Sequence, residues 1–128
     1  MGQPAAKQGD TITAIDMHLI QPPGPSSPVL VPHPYNGTIV SNVSKDVMIE
    51  GKPAATVGST ANNTQPHMPQ GGSFITPPTN SGTVTIGSAT VLINGKPAAR
   101  AGDSAQTCAD PVPNPNGKIV ATSTVLVG

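Results

Sequence analysis

The chain has 128 residues with six basic and six acidic side chains, a length that fits one domain and a balance that leaves no net charge. Scattered, balanced charge offers nucleic acid no electrostatic footprint, and no apolar run approaches the length of a membrane span, so stable membrane insertion is not expected either. Sixteen prolines and fourteen glycines against one tyrosine and one phenylalanine leave only a thin core, which calls for a staple such as a metal, and a lone cysteine excludes an internal disulfide.

In chain order, the opening Met1-Gly2-Gln3-Pro4-Ala5-Ala6 lacks the basic start and apolar stretch of a secretion signal. Synthesis in the cytoplasm follows as an expectation, with Cys108 kept as a thiol. Residues 2–10 form a phrase, Gly-Gln-Pro-Ala-Ala-Lys-Gln-Gly-Asp, that recurs at 51–59 and 95–103. Thr11 to Ile15 alternates and predicts a short strand. Gln21 to Pro34 is Pro-rich, which predicts a stiff, extended loop. Thr38-Ile39-Val40 is expected to pair with Val47-Met48-Ile49 as a hairpin leading into the second corner. After a second loop from Ala61 to Ser81, Gly82–Ile86 and Ala89–Ile93 read as another hairpin around Gly87-Ser88. A third loop carries Cys108 and Pro111, and a last hairpin joins 116–120 to 124–127. No segment has apolar residues at helical spacing with capping signals.

The repeated phrase has a physical grammar. A β-branched triplet suits a strand, Gly51 and Gly95 can end it, and the following proline removes a ladder donor. Two alanines let another segment approach closely, and Gly followed by Asp or Ser is turn chemistry. The first copy lacks its leading triplet, which stands instead at Val125-Leu126-Val127.

Pro97-Ala98-Ala99-Arg100 spells the signature of the PAAR-repeat proteins, the cone-shaped tips of contractile injection spikes, and the chain resembles that family along nearly its whole length. The signature arginine is Lys7 in the first copy and Thr56 in the second. The resemblance implies an all-β, small cone-like pseudo-threefold assembly of three β-hairpin repeats with long Pro/Gly-rich loops. A single domain over 1–128 is expected, with the segment 124–128 completing the first repeat. It further implies a non-catalytic tip that caps a trimeric β-helical spike, one tip per trimer, in a type VI secretion system, phage-like tail or related particle, and pierces a target envelope. Such a tip is assembled on the particle and delivered outside the cell or into the target, and effector proteins are further partners.

His18 lies eight residues after Asp10, His67 eight after Ser59, and Cys108 five after Asp103. Three equivalent loops would thus each send one ligand to the same end of the axis, with His33 as a fourth. Three imidazoles and one thiolate make a closed tetrahedral site for one structural zinc. Family members usually hold a metal by His and Cys near the vertex. The bland alternative is three ordinary loop histidines and a small buried thiol. Two further readings stay open, a zinc-stabilised adaptor that recruits an effector and a zinc or cysteine hydrolase.

Overall fold

The computed structural model describes residues 2–64, 66–69, 71–109 and 113–128. Met1 of the opening segment, Gln65 and Gln70 of the second expected loop, and Pro111 of the third lie outside the described residues. The chain is all-β, with no helix among the described residues. In order the strands are β1 (Gln3–Pro4), β2 (Thr11–Gln21), β3 (Val29–Ser41), β4 (Met48–Ile49), β5 (Lys52–Pro53), β6 (Thr60–Asn63), β7 (Ser73–Phe74), β8 (Ser81–Val84), β9 (Leu92–Ile93), β10 (Lys96–Pro97), β11 (Ser104–Thr107), β12 (Asn114–Val120) and β13 (Leu126–Val127). Six of them close into one antiparallel, barrel-like sheet in the order β2-β3-β6-β8-β11-β12 and back to β2, with β7 added at the far end of β2. Closure removes the edges that an open sheet of short strands would expose.

The remaining strands form three two-residue ladders, β1 with β13, β4 with β5, and β9 with β10. This corrects the expected hairpins. Thr38-Ile39-Val40 does not pair with Val47-Met48-Ile49, nor Gly82–Ile86 with Ala89–Ile93, nor 116–120 with 124–127. The cause is a serine turn between each strand and the triplet after it. Ser44 Oγ accepts from the Val47 N–H at 2.9 Å, Ser88 Oγ from Val91 at 2.9 Å, and Ser123 Oγ from Val125 at 2.9 Å. Each turn swings the apolar triplet away from its strand, and the triplet folds instead onto a corner. In two ladders the reversal is tight, with φ of 50° and 82° at Glu50-Gly51 and 52° and 80° at Asn94-Gly95. Two consecutive positive φ values define a type I′ hairpin, which Asn-Gly favours. Each ladder ends at a proline of the repeated phrase, Pro4, Pro53 or Pro97, which has no N–H to extend it.

The three corners then bond one another in a cycle. Ala6 N–H donates to Ala99 O at 2.9 Å, Ala99 to Ala55 at 3.0 Å, and Ala55 back to Ala6 at 3.0 Å. A second cycle surrounds it, from Gln8 to Pro53 O at 2.8 Å, Val57 to Pro97 O at 3.0 Å, and Ala101 to Pro4 O at 2.8 Å. Ala5, Ala6, Ala54, Ala55, Ala98 and Ala99 are all buried, because three backbones meeting at a point leave space for no more than a methyl. Just beyond, Gly9, Gly58 and Gly102 take φ of 96°, 96° and 85°. The next side chain caps the turn, Asp10 accepting from the Lys7 N–H at 2.9 Å, Ser59 from Thr56 at 2.9 Å and Asp103 from Arg100 at 2.8 Å.

Inside the closed sheet, period-2 alternation decides what faces inward. Ile12, Ile39, Ala61, Val84, Ala105 and Ile119 fill the layer above the alanines, and burying each large member contributes about 1.5–3 kcal/mol. The next layer contains Gly37, Gly82 and Gly117. A Cβ at Gly82 would stand 2.9 Å from Tyr35 Oη, and one at Gly117 3.0 Å from Thr107 Cγ2. Gly37 and Gly82 vacate volume that the buried Tyr35 ring occupies, and its hydroxyl donates to Ala61 O at 3.3 Å.

The Pro-rich stretch 21–34 is a correction as well, since its second half is strand. β2 and β3 pair continuously from Thr11↔Thr38 to Ile20↔Val29, with only the segment between them left as a turn. Ile39 N–H donates to Asp10 O, so odd residues of β3 direct their N–H groups at β2 and even residues direct theirs away. Pro32 and Pro34 are even, and β6 covers β3 only from Gly37 to Ser41. Their missing donors therefore fall on an edge where no ladder needs them.

Candidate metal centre

At the end of the sheet away from the corners, alternation brings ionisable groups inward. On β2 the face that buries Ile12 continues to Asp16 and His18, and on β3 the face that buries Tyr35 continues to His33. Asp16 and His33 are direct cross-strand partners. His67 follows the end of β6, and Cys108 follows β11 directly. All five are buried, between 0 and 8 % exposed. The four residues expected from the sequence thus meet, although His18 and His33 stand on strands rather than in loops.

Asp16 is the member that sequence reasoning passed over. Asp16, His18, His67 and Cys108 offer ligand atoms that all lie within 4.8 Å of one another. His33 adjoins this group, with ring centroids 5.3 Å from His18 and 5.6 Å from His67. The Phe74 ring of β7 closes over His18 and His33, 5.5 Å from each.

The donor set fits a cation, and His33 carries the sharpest sign. Its Nδ1 lies 2.8 Å from Val31 O, which can only accept, so the ring proton sits on Nδ1. Nε2 is buried and without a partner among the described residues. Leaving such an atom unmatched costs about 1–3 kcal/mol, which coordination would recover. Burial pushes the His67 pKa down, with His18 and His33 adding to the effect against an upward pull from Asp16, and the net lowering favours the neutral ring. A neutral imidazole is the form that binds metal.

Both carboxylate oxygens of Asp16 are engaged. Its Oδ1 accepts from the Thr107 hydroxyl and from Asn114 Nδ2 at 3.2 Å. Oδ2 lies 3.1 Å from His67 Nε2 and 3.5 Å from Cys108 Sγ. Burial and this carboxylate push the Cys108 thiol up to about 11. A cation among these groups reverses that balance, since it favours the thiolate and neutralises the carboxylate together. Imidazole, thiol and carboxylate donors at this spacing can hold a metal ion.

The chain is thus a small β protein with a closed antiparallel sheet and a buried donor cluster that could hold a metal ion. Residues 76–128 match the family model of the PAAR motif, a stretch that runs from before β8 to the end of β13 and includes Pro97-Ala98-Ala99-Arg100 and Cys108. The match covers the third copy of the repeated phrase and the segments on either side of it, less than half of the chain. No curated protein matches the chain.

Proposed function

We propose that the chain is a non-catalytic spike tip. In this reading residues 1–128 form one cone-like domain of three repeats about a pseudo-threefold axis, and one copy caps a trimeric β-helical spike. The observation that carries it is the cyclic bonding of three equivalent corners, which gives one chain the approximate symmetry of a homotrimer's end. The corner end also exposes Met48, Leu92 and Leu126, one at the same place in each two-residue ladder. Three apolar side chains so placed suit an end-on junction with three identical partners.

The opposite end is the piercing vertex, stapled by one structural zinc held by His18, His33, His67 and Cys108. Bound zinc supplies cross-links between strands that otherwise share a core with a single large aromatic. Asp16 holds His67 and Cys108 in place from beside the ligands. The tip is assembled on the particle inside the producing cell and leaves with it on firing.

Mixing the purified chain with candidate spike trimers and weighing the products by native mass spectrometry tests the assignment. One chain per trimer is the expected result. Three chains per trimer, or no complex with any spike encoded beside it, overturns the reading.

A further inference from the structure

The three corners are equivalent in backbone, and one of the side-chain pairs in which they differ decides what fills the space beside them. In the first, Lys7 Nζ lies 3.1 Å from Asp10 Oδ1 and 4.0 Å from Glu50 on the neighbouring ladder. In the third, Arg100 grips Asp103 at 2.8 Å and reaches Gly128 O, again on the neighbouring ladder, at 3.0 Å. Each cation fills the cleft between its own corner and the next ladder. In the second corner the pair is Thr56 and Ser59, and Thr56 is too short to cross. An open cleft remains at that place, bounded by Thr56 on one side and Asn94, the counterpart of Glu50 and Gly128, on the other.

The chemistry of this cleft is opposite to that of its two filled equivalents. Ser59 is fully buried and satisfied, accepting from the Thr56 N–H and donating to Asn42 O at 2.8 Å, so no carboxylate waits for a cation. Asp46 accepts from Asn94 Nδ2 at 2.8 Å. Lys45 and Lys96 line the cleft as well, both exposed, and neither has an ion-pair partner among the described residues. Two ammonium groups against one carboxylate that is already bonded leave the cleft positive. A cationic guest would meet repulsion, whereas a carboxylate would meet two donors of opposite charge.

We propose that the cleft beside Thr56 receives an aspartate or glutamate side chain of a partner protein. The site occurs once per chain, so it fixes one of three otherwise similar faces and gives an asymmetric partner a single azimuth to dock at. It stands independently of the spike assignment, because it needs only the second corner.

Amide NMR of the full chain, titrated with acetyl-Gly-Glu-Gly-amide, acetyl-Gly-Gln-Gly-amide and acetyl-Gly-Lys-Gly-amide, tests this. The Glu peptide should produce saturable shifts at millimolar concentration, centred on Thr56, Asn94 and Lys96, with binding about tenfold tighter than the Gln peptide. The Lys45→Ser/Lys96→Ser variant should lose the response while its spectrum elsewhere stays unchanged. A second variant, Thr56→Arg/Ser59→Asp, rebuilds the ion pair of the other corners and should abolish binding by filling the cleft. No saturable shift with the Glu peptide, equal shifts around Lys7 or Arg100, or a Lys peptide that binds as well as the Glu peptide overturns the proposal.

Discussion

The two ends of the closed sheet are built on opposite plans. At the corner end one local solution is used three times, with the same alanines, the same left-handed glycines and the same cyclic hydrogen bonds. At the other end the inward side chains differ from copy to copy. Asp16 and His18 come from one strand, His33 from its neighbour, and His67 and Cys108 from segments that follow two others. Tyr35 is likewise a single ring that uses room left by two glycines, Gly37 and Gly82. The contrast shows how a repeated chain acquires a unique site. Backbone that closes the fold keeps its repeat, and side chains that face the far interior are free to diverge, because each copy need supply only a share of one cluster.

The largest effect should come from the unrepeated end. If the donor cluster holds the proposed metal, chelation, or His18→Ala, should destabilise the protein by about 5 kcal/mol and lower Tm steeply, since the apolar core is small. Calorimetry with elemental analysis checks this, and a metal-free protein of unchanged Tm would break the division of labour between the ends. Second in size is removal of residues 124–128. That deletes β13, the buried Val127 and the Arg100–Gly128 bond, and should cost about 3 kcal/mol in urea denaturation. A loss confined to fraying, with the denaturation midpoint intact, would mean that the corners close without all three ladders. Next comes Gly82→Ala, whose methyl would press on Tyr35 and Gln106 O and cost about 2 kcal/mol. Pairing it with Tyr35→Phe should recover part of the loss in a double-mutant cycle.

The smallest effect sharpens the comparison by pH. In metal-free protein the unfolded state takes up a proton at His67 more readily than the folded state, so stability should fall as pH drops below about 6.5. Cys108 acts at the other limit. Its folded pKa is raised from 9.0 to about 11, so the stability it contributes is present below pH 9 and lost as pH rises toward about 11. Urea midpoints measured across this range should show both slopes, and metal-loaded protein should show neither in the same window. A corner variant such as Thr56→Val should shift the whole curve without changing its shape.

The corners were legible in sequence because each of their requirements is local. Pro-Ala-Ala followed by Gly and Asp or Ser states a ladder stop, a close approach and a capped turn within a few residues. Strand pairing was less legible, since which apolar run meets which strand depends on Ser44, Ser88 and Ser123, whose turns are small and unremarkable as residues. Asn94-Gly95 did announce a two-residue hairpin, and reading it as such would have released Ala89–Ile93 from Gly82–Ile86. The cluster was found by position in the repeat, yet Asp16 was missed by stopping the first strand at Ile15. Carrying the same alternation onward places Asp16 and His18 on the face of Ile12. In the Pro-rich stretch, composition misled. A proline every second residue is compatible with a strand whose other edge is bare, and Pro32 and Pro34 have that spacing.

The pairing of β1 with β13 also governs when the molecule can fold. Gln3 and Pro4 are synthesised well before their partners Val127 and Leu126. The alanine cycle has the same character, since each of its bonds joins segments distant along the chain and the third closes only after both others are in reach. Contact order is therefore high for so short a chain, and the entropy of loop closure must be met before the long-range contacts return anything. At about 5–20 residues per second of translation, the first corner waits several seconds with its ladder edge unpaired. The first corner completes its ladder only after the last segment of this domain is made, and an unpaired strand edge is where other chains can pair in the interval.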